Sequence, residues 1–113
     1  MTKSKLLDQL TDQINSYQEE VDLVCEALEE MSDDYQHTFI EEGACDYWLT
    51  DESFDEMLWQ YVEDMIPRYD NKRANKAIEE FFIRYFDFEQ FKRDCLITDF
   101  YRASNGVFLR SWH

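Results

Sequence analysis

Leu7, Leu10, Ile14, Tyr17, Val21, Val24, Leu28 and Met31 follow one another in alternating steps of three and four. Apolar residues at that spacing share one stripe of a helix, which predicts a first helix over residues 4–31 with Ser4 as its N-cap. At 1.5 Å per residue it would be roughly 40 Å long. The stripe is expected to pack in the chain's own core, with a coiled-coil homodimer as the alternative.

The remainder reads as shorter elements. "SDDYQHTFIEEG" predicts a second helix, capped by Ser32 or Asp33 and stopped by Gly43; "ACDYWLT" is an aromatic connector. Thr50 caps a third helix with Phe54, Leu58, Tyr61, Val62 and Met65 facing inward, ending before Pro67. "PRYDNKRANK" is a basic loop and helix start, and Ala77, Ile78, Phe81, Phe82 and Tyr85 mark the buried side of a fourth helix. Asp87 and Gln90 have capping-box spacing before a short helix "FEQFKRDCLI". Asn105-Gly106 between runs of β-formers predicts a hairpin in "TDFYRASNGVFLRSW", both turn residues tolerating φ > 0. The expected fold is mainly α: a long N-terminal amphipathic helix, three to four shorter helices and a small C-terminal β-hairpin. With 113 residues, 44% of them hydrophobic and 17% aromatic, the chain makes a single domain over 1–113 rather than a disordered acidic tail.

Cys25, Cys45 and Cys95 are odd in number and lack CxxC spacing, which suits a reducing cytosol. Asp8 and Gln9 break the apolar run after Lys5, against a signal peptide, and nothing is long and apolar enough for a membrane span. A cytoplasmic protein is expected, in the host cytoplasm if phage-encoded.

Charge is distributed unevenly. Residues 1–66 hold 19 Asp and Glu against 2 Lys, a net of −17, and residues 67–113 hold 7 against 9 Lys and Arg, a net of +2, which together give −15. No Lys or Arg stands between Leu6 and Pro67. Such a field repels phosphate, so bare nucleic acid and anionic membranes are poor partners and a basic protein surface is a good one. On the predicted first helix, Asp8, Asp12, Glu19, Asp22, Glu26, Glu29 and Asp33 form one stripe opposite the apolar seam, flanked by Glu20 and Glu30. Three like-charge i,i+4 pairs lie on that helix, and Glu29/Asp33 and Glu30/Asp34 join them if it runs a turn past Met31; at about 0.2–0.5 kcal/mol each, all five would cost roughly 1–2.5 kcal/mol. Solubility alone does not require that cost, since a few Lys would remove it. A stiff carboxylate array backed by the acidic third helix (Asp51, Glu52, Asp55, Glu56, Glu63, Asp64) matches the Lys- and Arg-lined groove of a DNA-binding enzyme, because DNA carries one charge per roughly 3.4 Å of each strand. The plainer reading is a solvated face.

Within residues 85–108, Phe86-Asp87-Phe88, Phe91, Arg93-Asp94 and Gly106-Val107-Phe108 stand in an order and spacing that resembles the C-terminal segment of the ArdA-type antirestriction proteins. The resemblance implies an acidic, elongated protein that mimics B-form DNA and blocks type I restriction-modification enzymes. Cys95 stands where that family tends to have Leu, the family's N-terminal domain is missing, and "PRYDNKRANK" replaces the part linked to its dimer interface. In the tail, Asp87 reads as a cap, Phe88 and Phe91 as core, and Asn105-Gly106 as a turn.

Catalysis is not expected. His37 and His113 are the only histidines, Asp34 precedes His37 by three as a single metal-site-like pair, and Cys45 with His37 is the one candidate nucleophile pair. No cofactor or resident metal is expected. The leading expectation is a phage- or mobile-element-type inhibitor acting as a DNA mimic on a type I restriction or CRISPR effector complex. An acidic immunity-type protein against a basic nuclease toxin, and a helical adaptor using the apolar seam, are the alternatives.

Overall fold

The computed structural model describes residues 1–111; Trp112, at the end of the predicted hairpin segment, and His113 lie outside the described residues. The predicted helix over 4–31 does not form as one piece. Thr2, not Ser4, is the N-cap of α1 (Lys3–Gln13), its hydroxyl accepting the Lys5 amide. The backbone turns extended at Ile14 and again at Tyr17, and α2 (Gln18–Leu28) starts afresh. Asn15 and Ser16 between them have short polar side chains that favour turns over helix interiors. Burial supplies the stronger reason. Folded back, the two arms place Leu6, Leu10 and Ile14 with Val21, Val24, Cys25 and Leu28 in one core, which a straight helix would leave open to solvent. Lys3 lies 3.6 Å from Glu29, so the arms run antiparallel. Tyr17, at the bend, is 82% exposed. Apart from Tyr17, the seam packs into the chain's own core, which leaves no continuous apolar stripe for an adaptor or a coiled-coil dimer.

Ser32 caps α3 (Asp33–Glu41), its hydroxyl accepting the Tyr35 amide. Gly43 (φ +92°) and Ala44 (φ +54°) then return their amides to the Ile40 and Phe39 carbonyls, and the helix closes.

The aromatic connector contains a strand. β1 (Tyr47–Trp48) pairs antiparallel with β3 (Phe108–Arg110), and β2 (Phe100–Arg102) lies on β3's other side, so the expected hairpin is two strands of a sheet ordered β1-β3-β2. Strand alternation divides the interior. Tyr47 and Leu109 join the core of α1, α2 and α3; Trp48, Phe100 and Phe108 join a second core with Phe54 and Leu58 of α4 (Asp51–Met65) and Cys95 of α6 (Phe88–Thr98). Phe54 stacks on Phe108 with centroids 4.1 Å apart, and Phe100 meets Phe54 edge-on at 5.2 Å. Thr50 and Ser53 close a full capping box at the start of α4.

Two expected faces are wrong. On α4, Phe54, Leu58 and Val62 are buried, but Tyr61 and Met65 are exposed, one position round from that ridge. α5 (Lys72–Tyr85), capped by Asn71, buries no side chain fully. Only one side of it is covered: Phe82 stacks on Phe86, which in turn meets Trp59 and Phe91, while Phe81 and Tyr85 are 67% and 69% exposed. The molecule measures 55 × 25 × 24 Å with a radius of gyration of 17.4 Å. A compact chain of this length would have about 13 Å, so it is elongated.

The tail folds largely as its residues suggest. Asp87 caps α6 by accepting the Gln90 amide, although the Gln90 side chain turns to Asp94 and leaves the box half closed. Phe88 and Phe91 pack half-buried against the second core. Gly106 takes the positive φ of the turn, +90°, but Asn105 does not. Asn105 instead accepts the Val107 amide and donates to the Leu23 carbonyl at 3.0 Å.

Candidate functional site

The sheet holds α2 at both ends. Near β1, Glu20 accepts the Tyr47 hydroxyl at 3.0 Å; beside β2, Glu30, just past the helix, accepts the Ser104 amide at 3.0 and 3.1 Å and the Tyr101 hydroxyl at 3.3 Å. Since β1 and β2 are the two outer strands, α2 crosses the sheet. Its buried side carries Val21, Val24, Cys25 and Leu28, and helical geometry puts Glu19, Asp22, Glu26 and Glu29 on the side facing away. From Glu19 to Glu29 this row extends roughly 15 Å along the axis.

The single stripe expected on one long helix becomes separate rows. Asp8 and Asp12 lie exposed on the outer side of α1, opposite Leu6 and Leu10, but that arm runs back along α2 instead of extending it. Asp33 belongs to the first turn of α3, where the Met1 ammonium hydrogen-bonds its carboxylate, and this hydrogen bond and charge hold the Asp33 carboxyl below its ordinary value. The Glu29/Asp33 and Glu30/Asp34 pairs therefore do not share a helix. On α4, Glu52, Glu56 and Glu63 share an exposed side with Asp64 nearby. Asp51 and Asp55 are occupied internally. Lys92 sits 2.8 Å from Asp55 and 3.8 Å from Asp51, about 6 Å from the Phe54 and Phe108 ring centres, and Arg102 reaches Asp51 at 3.4 Å.

Two classes of acid result. Glu20, Glu30, Asp33, Asp51 and Asp55 are engaged within the fold. Asp8, Asp12, Glu19, Glu26, Glu52, Glu56, Glu63 and Asp64 are exposed and make no ion pair among the described residues. Asp22 accepts only the Gln18 amide, and Glu29 meets only the exposed Lys3. Asp34, Glu41 and Glu42 of α3 are exposed too, and they belong to the same Lys-free run although their helix pattern had not singled them out.

Part of this charge is locally favourable. Glu19 and Glu20, Asp33 and Asp34, and Asp51 and Glu52 fill the first turns of α2, α3 and α4, where the helix dipole favours anions by about 0.3–1 kcal/mol each. Asp8/Asp12 and Asp22/Glu26 gain nothing of the kind and repel, and Glu56 repels Glu52.

The thiols are poorly placed for nucleophilic work. Burial is the first cause pushing Cys25 and Cys95 upward, and neighbouring acids add to it; the Cys45 thiol donates to the Glu42 carbonyl rather than to His37. An apolar cleft of about 290 Å³ between α4 and α6 is lined by Leu58, Tyr61, Met65, Phe91 and Cys95, with Asp99 and Arg110 at its polar side. Among the described residues, no group of three or more His, Cys, Asp or Glu is arranged to hold a metal ion, and no helix is long and apolar enough to cross a membrane.

No protein-family model, no curated protein and no solved structure matches the chain. The geometry itself describes an elongated, mainly helical body with a small three-stranded sheet, whose outward carboxylates can meet many cations at once.

Proposed function

We propose that the chain is a DNA mimic that occupies the basic DNA-binding groove of a host defence enzyme, a type I restriction-modification or CRISPR effector complex. The observation that carries this reading is the outer side of α2, where Glu19, Asp22, Glu26 and Glu29 point away from the sheet on a helix anchored at both ends. Asp8 and Asp12 on α1, and Glu52, Glu56, Glu63 and Asp64 on α4, add to it. A helix anchored this way loses little conformational freedom on binding, so the attraction of each carboxylate is not consumed in ordering. The elongated shape and the resemblance of residues 85–108 to the antirestriction tail support the same reading.

The test is a cleavage assay with a purified type I restriction enzyme and, separately, a CRISPR effector, titrating both the chain and duplex DNA. Inhibition should be competitive with DNA and should weaken steeply as salt rises, because each neutralised groove cation contributes to the salt dependence. Inhibition that excess DNA does not relieve, or no inhibition of either enzyme, overturns the proposal.

A further inference from the structure

On α5, Ala77, Phe81 and Tyr85 follow at steps of four and form a ridge that no neighbouring element covers. The Phe81 and Tyr85 rings lean on each other at 4.8 Å, both left to solvent. One flank of this ridge carries Glu80 and Arg84. They are four apart, the spacing of an intrahelical ion pair, yet neither makes an ion pair among the described residues.

We propose that this face is the interface with a second copy of the chain, the two α5 helices packing antiparallel about a two-fold axis at Phe81. In that register Phe81 faces its symmetry mate, and Ala77 faces the partner's Tyr85, so the smallest residue of the ridge receives the largest. Matching flanks of an antiparallel helix pair face each other, as the e and g positions of coiled coils do. Glu80 therefore comes beside the partner's Arg84, and Arg84 beside the partner's Glu80, two reciprocal ion pairs from one helix. A patch complementary to itself closes at two copies.

Charge selects the occupant. Each copy carries −15, made up of −17 in residues 1–66 and +2 in residues 67–113. α5 itself has Lys72, Arg73, Lys76 and Arg84 against Glu79 and Glu80. Two such molecules approach with least repulsion through this face, and their acidic rows stay apart. This inference does not depend on what the acidic rows bind.

The experiment is sedimentation equilibrium on the full chain. The expected mass is twice the 13.8 kDa of the monomer, and added salt should not weaken the association, since it screens the repulsion between the acidic bodies. Phe81→Asp should raise the dissociation constant at least about tenfold, with the far-UV circular dichroism unchanged because the side chain is exposed. Glu80→Arg and Arg84→Glu should each weaken the dimer, and the double variant should restore it. A monomer up to millimolar concentration, a dimer that Phe81→Asp leaves intact, or a double variant no better than the single ones overturns the proposal.

Discussion

The Ser104 backbone amide points at both carboxylate oxygens of Glu30, 3.0 and 3.1 Å away, joining the end of α2 to the turn that follows β2 across 74 residues of sequence. A charge-assisted hydrogen bond of this kind is stronger than a neutral one, though exposure to water reduces it to about 1 kcal/mol here. Glu30→Ala should therefore lower the melting temperature by about 4 °C. The same variant should change inhibition of a DNA-binding target far less than a change in the outer row does. Calorimetry beside the cleavage assay checks the pair of outcomes, and a Glu30→Ala protein with unaltered melting but abolished inhibition contradicts the division of the acids.

Glu26 makes the opposite prediction. It faces solvent with no ion-pair partner and sits four residues from Asp22. Asp22→Asn and Glu26→Gln together remove one like-charge repulsion of about 0.2–0.5 kcal/mol, so the melting temperature should hold or rise slightly. Inhibition should fall by about 1.5- to 5-fold for each neutralised acid, since exposed pairs contribute about 0.2–1 kcal/mol apiece. Adding Glu19→Gln and Glu29→Gln should deepen the loss step by step and flatten its salt dependence. Total loss from any one of these substitutions would point to a specific pocket instead of a distributed surface.

Residue patterns carried the helices well and their joins poorly. Ser32, Thr50 and Asp87 cap helices as expected, because a side-chain oxygen bonding an amide three residues on is local information. The break at Asn15-Ser16 was less legible. The 3-4 spacing runs through it unbroken, and only the chance to bury one half of the stripe against the other decides for a bend. β1 has two residues, too short for any alternation to register, and pairing with β3 some sixty residues away makes it a strand. The acids show the same limit. Their number and the missing cations are plain in the chain, but Asp51 and Asp55 lose their availability to Lys92, and Glu20 to Tyr47, through contacts that only the tertiary fold creates. Amphipathic spacing on α5 marks an apolar face without saying whether this chain or another covers it.

Among the described residues, Gln36 is the one polar side chain buried with the core, and its amide donates to the Leu28 carbonyl at 2.8 Å and the Met31 carbonyl at 3.4 Å. The Leu28 carbonyl also accepts the Met31 amide at 3.0 Å, so this side chain of α3 adds a second, buried donor at the close of α2. Gln36→Leu keeps comparable bulk and removes both donations, while also deleting an Oε1 that has no partner of its own. The Leu28 carbonyl keeps the Met31 amide but loses its side-chain donor, and the Met31 carbonyl loses its longer bond, for a net loss of about 1 kcal/mol. Denaturant unfolding should show a lower midpoint with the slope unchanged. An equal or higher midpoint would mean that the Met31 amide alone satisfies the Leu28 carbonyl.

Alkaline pH should loosen the fold through its tyrosines. Burial first, then the hydrogen bond to Glu20, pushes the Tyr47 phenol up to about 12. Burial also raises Tyr35, whose hydroxyl donates to the Arg110 carbonyl, with the Asp46 charge adding to the rise and Arg110 opposing it. Tyr101 is raised by burial and by Glu30. An unfolded chain releases these protons near pH 10, whereas the folded chain still holds them. The resulting stabilisation is fully present below about pH 10 and is lost as pH climbs through the folded values, about 12 for Tyr47. Phenolate absorbance should show Tyr35, Tyr47 and Tyr101 titrating above the pH of about 10 of an unfolded chain, and unfolding free energy should drop over the same range. Tyr47→Phe should make that drop shallower while leaving Glu20 without its hydroxyl donor, so its stability near neutral pH should fall slightly. If Tyr35, Tyr47 and Tyr101 ionise near pH 10 with the fold intact, neither Glu20–Tyr47 nor Glu30–Tyr101 holds α2 across the sheet, and the rigidity of the outer acidic row has to come from the Ser104–Glu30 and Asn105–Leu23 hydrogen bonds and the apolar core.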